Sequence, residues 1–165
     1  MNYSKLLLPV GLAAVLLSGC NDDDNKPPKI NEAPTATAST FSAEADKTYT
    51  GKLAGADAES DKLTFLVGTA PTQGTLKLEA DGSFTYLPNA EFTGSDKFTF
   101  TVSDKTHLSL PAEVMITVGL QQVTFSEYSR KAFNQASTDK PLPLNSREIK
   151  QDVTAANAYD DLLKP

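Results

Sequence analysis

Apolar and polar residues alternate with a period of two from residue 35 to residue 118, and this alternation limits the possible folds more than any other feature of the sequence. In the clearest segment, residues 97–103, Phe98, Phe100 and Val102 fall on one face and threonines fall on the other. Because successive side chains of a strand point to opposite faces of its sheet, the pattern predicts half-buried β-strands.

Turn residues divide the alternating region into short strands. The Asp81-Gly82 pair between two strands predicts a hairpin turn, since glycine readily adopts positive φ. The segments predicted as strands are 35–41, 47–53, 62–67, 74–78, 83–87, 97–103 and 112–118. We therefore predict an all-β fold for residues 35–118, a seven-stranded antiparallel sandwich of the Ig-like or cadherin-like kind. The single Cys and the lack of Trp argue against the Cys-Trp-Cys pattern of true immunoglobulin domains.

The N-terminal residues have the features of an export signal. Lys5 provides positive charge, and the apolar run Leu6–Leu17 is shorter than the roughly 20 residues that a membrane-spanning helix needs. The run ends in Leu17-Ser18-Gly19-Cys20, which resembles the lipobox of bacterial lipoproteins. The resemblance implies that residues 1–19 are removed and that Cys20 carries a covalent lipid. In the lipoproteins of enteric bacteria, Asp directly after the lipidated Cys favours retention in the inner membrane. Asn21 stands at this position here, and the resemblance therefore favours the outer membrane.

Residues 20–34 have the composition of a solvated tether between this lipid anchor and the sandwich. They include three consecutive Asp residues and the pair Pro27-Pro28, and they show no hydrophobic period. The whole chain has 21 acidic and 15 basic residues, a formal charge of −6. This acidic balance argues against nucleic acid as a partner. Anionic lipid surfaces would also repel an acidic chain, so the lipid on Cys20 is expected to hold it on the membrane.

The order and spacing of several short motifs resemble a known family. These motifs are Asp57-Ala58-Glu59-Ser60-Asp61-Lys62-Leu63-Thr64, Gly74-Thr75-Leu76, Asp81-Gly82-Ser83-Phe84-Thr85-Tyr86, Phe92-Thr93-Gly94 and residues 96–104. They are similar to the cadherin-like, Ig-like repeats of bacterial surface and secreted proteins. The resemblance implies a sandwich that serves as a non-catalytic adhesion, binding or adaptor module.

Several carboxylates fall in loops that an Ig-like sandwich places at one end. The predicted cluster is Asp57, Glu59, Asp61 and Asp104, with Glu32 and Asp81 as further candidates. Clustered carboxylates repel one another unless a cation lies between them, and Ca²⁺ prefers six to eight oxygen ligands. Related loops of the resembled family often bind calcium, so these residues form a candidate calcium site. The alternative is an exposed acidic loop that Lys62 and Lys105 partly neutralise.

The sequence contains none of the common catalytic motifs that we considered. His107 is the single histidine, in a predicted loop, and the sequence contains no phosphate-binding Gly-rich loop, no His-Glu-x-x-His and no Gly-x-Ser-x-Gly. We therefore predict that the chain is not an enzyme. The alternative function is that of an accessory carbohydrate-binding lipoprotein, for which Tyr49 and Phe92 are the candidate exposed aromatics.

The tail, residues 119–165, follows a different pattern. Thr124 and Glu127 have the spacing of a capping box, which predicts a helix start. The apolar residues that follow at helical spacing are Phe125, Tyr128, Ala132, Phe133 and Ala136. Residues 140–144 are predicted to be extended, and residues 153–163 to form a second short helix. The apolar stripe either packs against the sandwich or, through Phe125, Tyr128 and Phe133, docks onto a second envelope protein.

Overall fold

The alternating segments form nine strands in a computed structural model that describes residues 30–155 and 157–159. The strands are β1 (Thr35–Thr37), β2 (Ser39–Glu44), β3 (Tyr49–Lys52), β4 (Ala54–Ala56), β5 (Thr64–Val67), β6 (Gly74–Leu78), β7 (Ser83–Pro88), β8 (Gly94–Ser103) and β9 (Ala112–Gly119). The predicted signal peptide, Cys20 and most of the predicted tether lie outside the described residues.

Two main sheets build the sandwich. One has the strand order β2-β9-β8-β5, and the other has the order β3-β7-β6. All neighbours in these sheets are antiparallel except β2 and β9, which run parallel from the pair Ser39–Val114 to the pair Glu44–Gly119. The predicted all-β sandwich is therefore confirmed.

Two of the predicted strands are interrupted at a point where the chain changes its pairing partner. Segment 35–41 breaks at Ala38, so that β1 pairs with β4 while β2 joins the four-stranded sheet. Segment 47–53 ends at Leu53, whose side chain is buried and whose N–H donates to the carbonyl oxygen of Gly82 at 2.9 Å. Each break lets the chain leave one sheet and pair elsewhere, which a continuous alternation cannot indicate.

The core lies between the two sheets, where the alternation predicts it. Its most buried large side chains are Tyr86, Phe98, Phe100, Val102, Val114 and Ile116. The rings of Phe84 in β7 and Phe98 in β8 meet edge to face at 5.7 Å across the sheets. Gly51 lies against this contact, because an added Cβ would be 2.6 Å from the Phe84 ring. Close approach of two elements therefore explains this glycine within a strand.

One carboxylate is buried in the sandwich and is fully hydrogen-bonded. Asp96 accepts the N–H groups of Thr72 at 3.1 Å, Gln73 at 2.9 Å and Lys97 at 2.9 Å, and the hydroxyl of Tyr86 at 2.9 Å. Burial raises the pKa of Asp96, but these hydrogen bonds lower it by more, so the pKa lies below its ordinary value. Burial and the same carboxylate raise the pKa of Tyr86. Asp96 thus joins the loop before β6 to both sheets.

The tail contains β10 (Gln121–Thr124), α1 (Phe125–Phe133) and β11 (Arg147–Lys150). The predicted helix start is confirmed, because the Thr124 side chain caps α1 and accepts the N–H of Glu127 at 3.2 Å. The parallel pairing of β10 with β11 has no counterpart in the sequence prediction. It joins segments more than twenty residues apart, and neither segment shows a long alternation.

The predicted second helix, residues 153–163, is wrong for the residues that the structure describes. Residues 153–155 have no regular secondary structure and residues 157–159 form a turn, while residues 160–165 lie outside the described part. The side chain of Asp152 accepts hydrogen bonds from the N–H and the hydroxyl of Ser126. Residues just before the predicted helix are therefore tied to the first turn of α1.

Asp46, in the turn between β2 and β3, joins the tail to the sandwich. Its backbone is in the left-handed region, with a φ of 59°. One carboxylate oxygen accepts the N–H of Glu91 at 2.8 Å, and the other lies 3.4 Å from Nη2 of Arg147 and 3.5 Å from the hydroxyl of the fully buried Ser146. Part of the tail thus packs on the sandwich, at the end where β9 finishes.

Candidate functional site

Two loops meet the N-terminal segment at the opposite end of the sandwich. Asn31 donates through Nδ2 to Oδ2 of Asp104, in the β8–β9 loop, at 2.8 Å. The next residue, Glu32, donates its N–H to Oε2 of Glu59, in the β4–β5 loop, at 3.1 Å. The structure therefore brings Asp104 and Glu59 to one end, with Asn31 and Glu32 hydrogen-bonded to both loops.

Asp104 is enclosed by donors. Its Oδ1 accepts the N–H groups of Thr106 and His107, both at 2.6 Å, and Nδ1 of His107 lies 3.5 Å from its Oδ2. The N–H of His107 lowers the pKa of Asp104 most, burial opposes it, and the bonds from Thr106 and Asn31 lower the pKa further, to about 2. The ionised carboxylate of Asp104 therefore stabilises the conformation of its own loop.

Asp57 organises the β4–β5 loop in a similar way. Its Oδ1 accepts the N–H of Glu59 at 3.1 Å and that of Asp61 at 2.8 Å. Its Oδ2 is buried and has no hydrogen-bond partner among the described residues. Ser60, between these residues, has a φ of 65°. This is the left-handed region, which glycine adopts most easily.

The acids do not converge on one point. Within residues 30–155 and 157–159, no three side chains of His, Cys, Asp or Glu are arranged so that they could hold a metal ion. Asp81 closes its own hairpin by accepting the N–H and hydroxyl of Ser83, at 3.0 and 2.9 Å. The described part of the chain also shows no ion pair of Lys62 or Lys105 with these acids. Asp104 and Asp57 instead accept hydrogen bonds from backbone N–H groups, and Asp104 also accepts one from Asn31.

Asn31 was not among the residues predicted from the sequence. It contacts a loop that lies 73 residues further along the chain, and it stands outside the alternating region. Only the tertiary structure shows that it holds Asp104. Its Nδ2 also lies 3.0 Å from Nδ1 of His107, so the single histidine is part of this junction.

Acid should weaken this end of the sandwich. The pKa of Asp104 in the folded protein is about 2, below its ordinary value of 3.8. A carboxylate with a lowered folded pKa stabilises the protein above its ordinary pKa, and this contribution is lost as the pH falls towards the folded pKa. We expect the melting temperature to fall between pH 4 and pH 2, and Asp104→Asn to make this fall shallower. Melts across this range check the prediction, and an identical acid response in the variant would contradict it.

The two aromatic candidates for sugar binding, Tyr49 and Phe92, are both partly buried. Tyr49 packs against the core, with ring centroids 5.5 Å from Phe41 and 6.0 Å from Phe84, and Phe92 also packs against the core. Neither forms an open platform for a sugar ring.

On α1, the docking candidate Phe133 is 58% exposed.

Two further residues of the predicted docking stripe belong to α1. Phe125 is 38% exposed, and Tyr128 is partly buried and donates its hydroxyl to the Leu142 carbonyl at 3.1 Å. Ala136 follows the end of the helix. The stripe is thus partly covered by the tail itself and partly open.

No helix in the described part of the chain has the length and apolar character needed to span a bilayer.

Solved structures with a similar chain path belong to several kinds of protein. An endo-fucoidan hydrolase of glycoside hydrolase family 107 matches with 24% identity and a TM-score of 0.42, over 56% of this chain and 17% of its own. Repeats EC1-2 of human protocadherin-24 match with 18% identity and a TM-score of 0.43, over 58% of this chain and 52% of that one. Domains 4 and 5 of the S-layer protein SbsC match with 19% identity and a TM-score of 0.35, over 54% and 52%. The chain thus spans only about a sixth of the hydrolases that it resembles.

The family comparison is more specific. No curated protein matches the chain. The model of the bacterial cadherin-like domain matches residues 31–119, which extend from the asparagine that holds Asp104 to the last residue of β9. This match covers more than half of the sequence, and the chain therefore belongs to the bacterial cadherin-like domain family.

Proposed function

We propose that this chain is a lipid-anchored protein of the bacterial cell envelope, in which the cadherin-like sandwich is a non-catalytic adhesion, binding or adaptor module. Family membership supports the binding role. The observation that carries the proposal is that the buried carboxylates of the sandwich are occupied by hydrogen bonds within the fold, while its exposed loops carry apolar side chains. Its two buried carboxylates, Asp96 and Asp104, are held by hydrogen bonds from their own loops and strands, whereas large apolar side chains are exposed at the loops and on α1.

The anchor in this proposal is a lipid on Cys20, and the outer membrane is the proposed location. Support comes from the lipobox-like residues 17–20 and from Asn21. Two or more acyl chains hold a protein stably on a membrane, whereas one binds only marginally. The tail then presents Phe125, Tyr128 and Phe133 to a second envelope protein.

One experiment in intact bacteria tests the anchor and the partner together. A photo-crosslinking residue replaces Phe133 in the full chain, and the same residue at Thr85, on the exposed side of β7, serves as the control. We expect the chain in the outer-membrane fraction, a lipid on Cys20 by mass spectrometry, and one discrete crosslinked product from position 133 only. Cys20→Ser should release the chain and abolish the product. An unmodified Cys20, or equal crosslinking from both positions, would contradict the proposal.

Calcium at Asp57, Glu59, Asp61 and Asp104 stays a prediction. The buried, unpartnered Oδ2 of Asp57 supports it, whereas these acids must change their present hydrogen bonds to surround one ion. We therefore expect binding only at millimolar calcium, the range of weak extracellular sites. At a Kd of about 1 mM, 10 mM calcium would stabilise the fold by about 1.4 kcal/mol.

A thermal melt of the full chain with and without calcium measures this effect. Magnesium at the same concentration is the control for ionic strength, and Asp57→Asn should remove the calcium response. A melting temperature that calcium and magnesium leave equally unchanged would exclude the site.

A further inference from the structure

The β8–β9 loop reverses the usual positions of polar and apolar residues. Ser109 is only 7% exposed, whereas its neighbours Leu108 and Leu110 are 58% and 87% exposed. An exposed leucine alone needs no explanation, but here two leucines stand outside while the serine between them fills an inward position.

Hydrogen bonds hold this arrangement in place. The Ser109 hydroxyl accepts the N–H of Val102 at 2.9 Å and donates to the carbonyl of Leu110 at 2.9 Å. The Ser109 N–H donates to the Val102 carbonyl at 2.8 Å. Rotating the leucines inward would break all three bonds and bring a hydroxyl outward, so the loop presents both leucines continuously.

The leucines lie in the loop that receives the N-terminal segment. Asn31 contacts Asp104 and lies 3.0 Å from Nδ1 of His107, the residue immediately before Leu108. Only ten residues separate Cys20 from Asn31 in the sequence. For a tether of this length, the expected span is about 20 Å as a random coil and at most about 40 Å when fully extended.

We infer that Leu108 and Leu110 insert into the surface of the lipid bilayer to which Cys20 is anchored. The inference rests on the proposed lipid anchor and adds an orientation to it. A short tether keeps the loop close to the membrane, and the anchor makes insertion an intramolecular event at high effective concentration. Two leucines that would bind free vesicles weakly can then stay inserted.

Charge at the same end selects the kind of lipid. The acids of the two loops, Asp57, Glu59, Asp61 and Asp104, outnumber the lysines Lys62 and Lys105 there, so a negative lipid surface would repel this end. The loop therefore fits a zwitterionic bilayer. Arg147 of the tail contacts Asp46, in the turn beside the last residue of β9. This is the other end of an eight-residue strand about 26 Å long, so the same orientation directs the tail away from the membrane.

A fluorescent reporter in the full acylated chain tests this contact. An environment-sensitive dye is attached to Leu108→Cys in zwitterionic phosphatidylcholine vesicles. Leu144→Cys is the matched control, because Leu144 is 57% exposed and lies in the tail. We expect the emission at position 108 to shift to shorter wavelength and to be quenched by brominated acyl chains, with neither change at position 144. Adding anionic lipid should reduce the shift.

The other outcomes separate the inference from the proposed function. A lipid on Cys20 with no shift at position 108 overturns the inference and leaves the anchor intact. An unmodified Cys20 overturns both. A shift that grows with protein concentration in detergent without vesicles identifies a second copy of the chain as the occupant and overturns the lipid contact, as do equal shifts at both positions.

Discussion

Asp96→Ala should destabilise the sandwich by about 3–4 kcal/mol, because it removes the acceptor for three backbone N–H groups and the Tyr86 hydroxyl. Tyr86 is fully buried, so its hydroxyl would have no water to replace the lost carboxylate. The loss is a large share of the roughly 5–15 kcal/mol that holds a typical domain folded.

Urea unfolding of the full chain measures this loss. Asp81→Ala is the matched control, since Asp81 also accepts an N–H and a hydroxyl but its side chain is 63% exposed. Water can replace its hydrogen bonds, and the control should lose far less stability. Equal losses in the two variants would show that the buried position of Asp96 adds nothing to the bonds themselves.

Phe100→Ala should cost about 3–5 kcal/mol, the usual range for a fully buried phenylalanine. Phe100 is 0% exposed in the central strand β8, and its ring stacks on Phe65 with centroids 6.0 Å apart. Phe100 belongs to the cluster of buried side chains that forms the core. A β-sandwich of this size has little further core to compensate for the loss of its ring.

The exposed Phe133 provides the control for this second substitution. It lies at the end of α1 and is 58% exposed, so Phe133→Ala should change the free energy of unfolding by less than about 0.5 kcal/mol. Comparing the two variants by the same unfolding measurement separates core packing from the chemistry of the side chain. A large loss at Phe133 would show that the tail is part of the folding core.

The sequence predicted the elements that depend on local pattern. The alternation in β8 and β9 located the core, and the capping pair Thr124 and Glu127 located the start of α1. These features follow from the period of a strand and from the geometry of one helical turn. They need no knowledge of distant residues.

What the sequence did not predict depends on contacts between distant segments. The parallel pairing of β10 with β11, the bond from Asn31 to Asp104, and the outward direction of Leu108 and Leu110 are of this kind. The alternation places a polar residue outside by default, and it fails where Ser109 finds its partners inside the fold. The spacing of the acidic residues indicated a cluster, but it could not show that backbone N–H groups occupy the carboxylates of Asp57 and Asp104.

The parallel pairing of β2 with β9 has a mechanical consequence. The segment before β1 enters at one end of the sandwich, and the tail leaves β9 at the other end. A force that pulls these two segments apart acts along the strand axis and loads the hydrogen bonds between residues 39–44 and 114–119 in shear. The bonds then share the load and must fail together, whereas a hairpin pulled from its open end unzips one pair at a time. With the proposed anchor at one end and the proposed partner of the tail at the other, the sandwich would resist tension between the two.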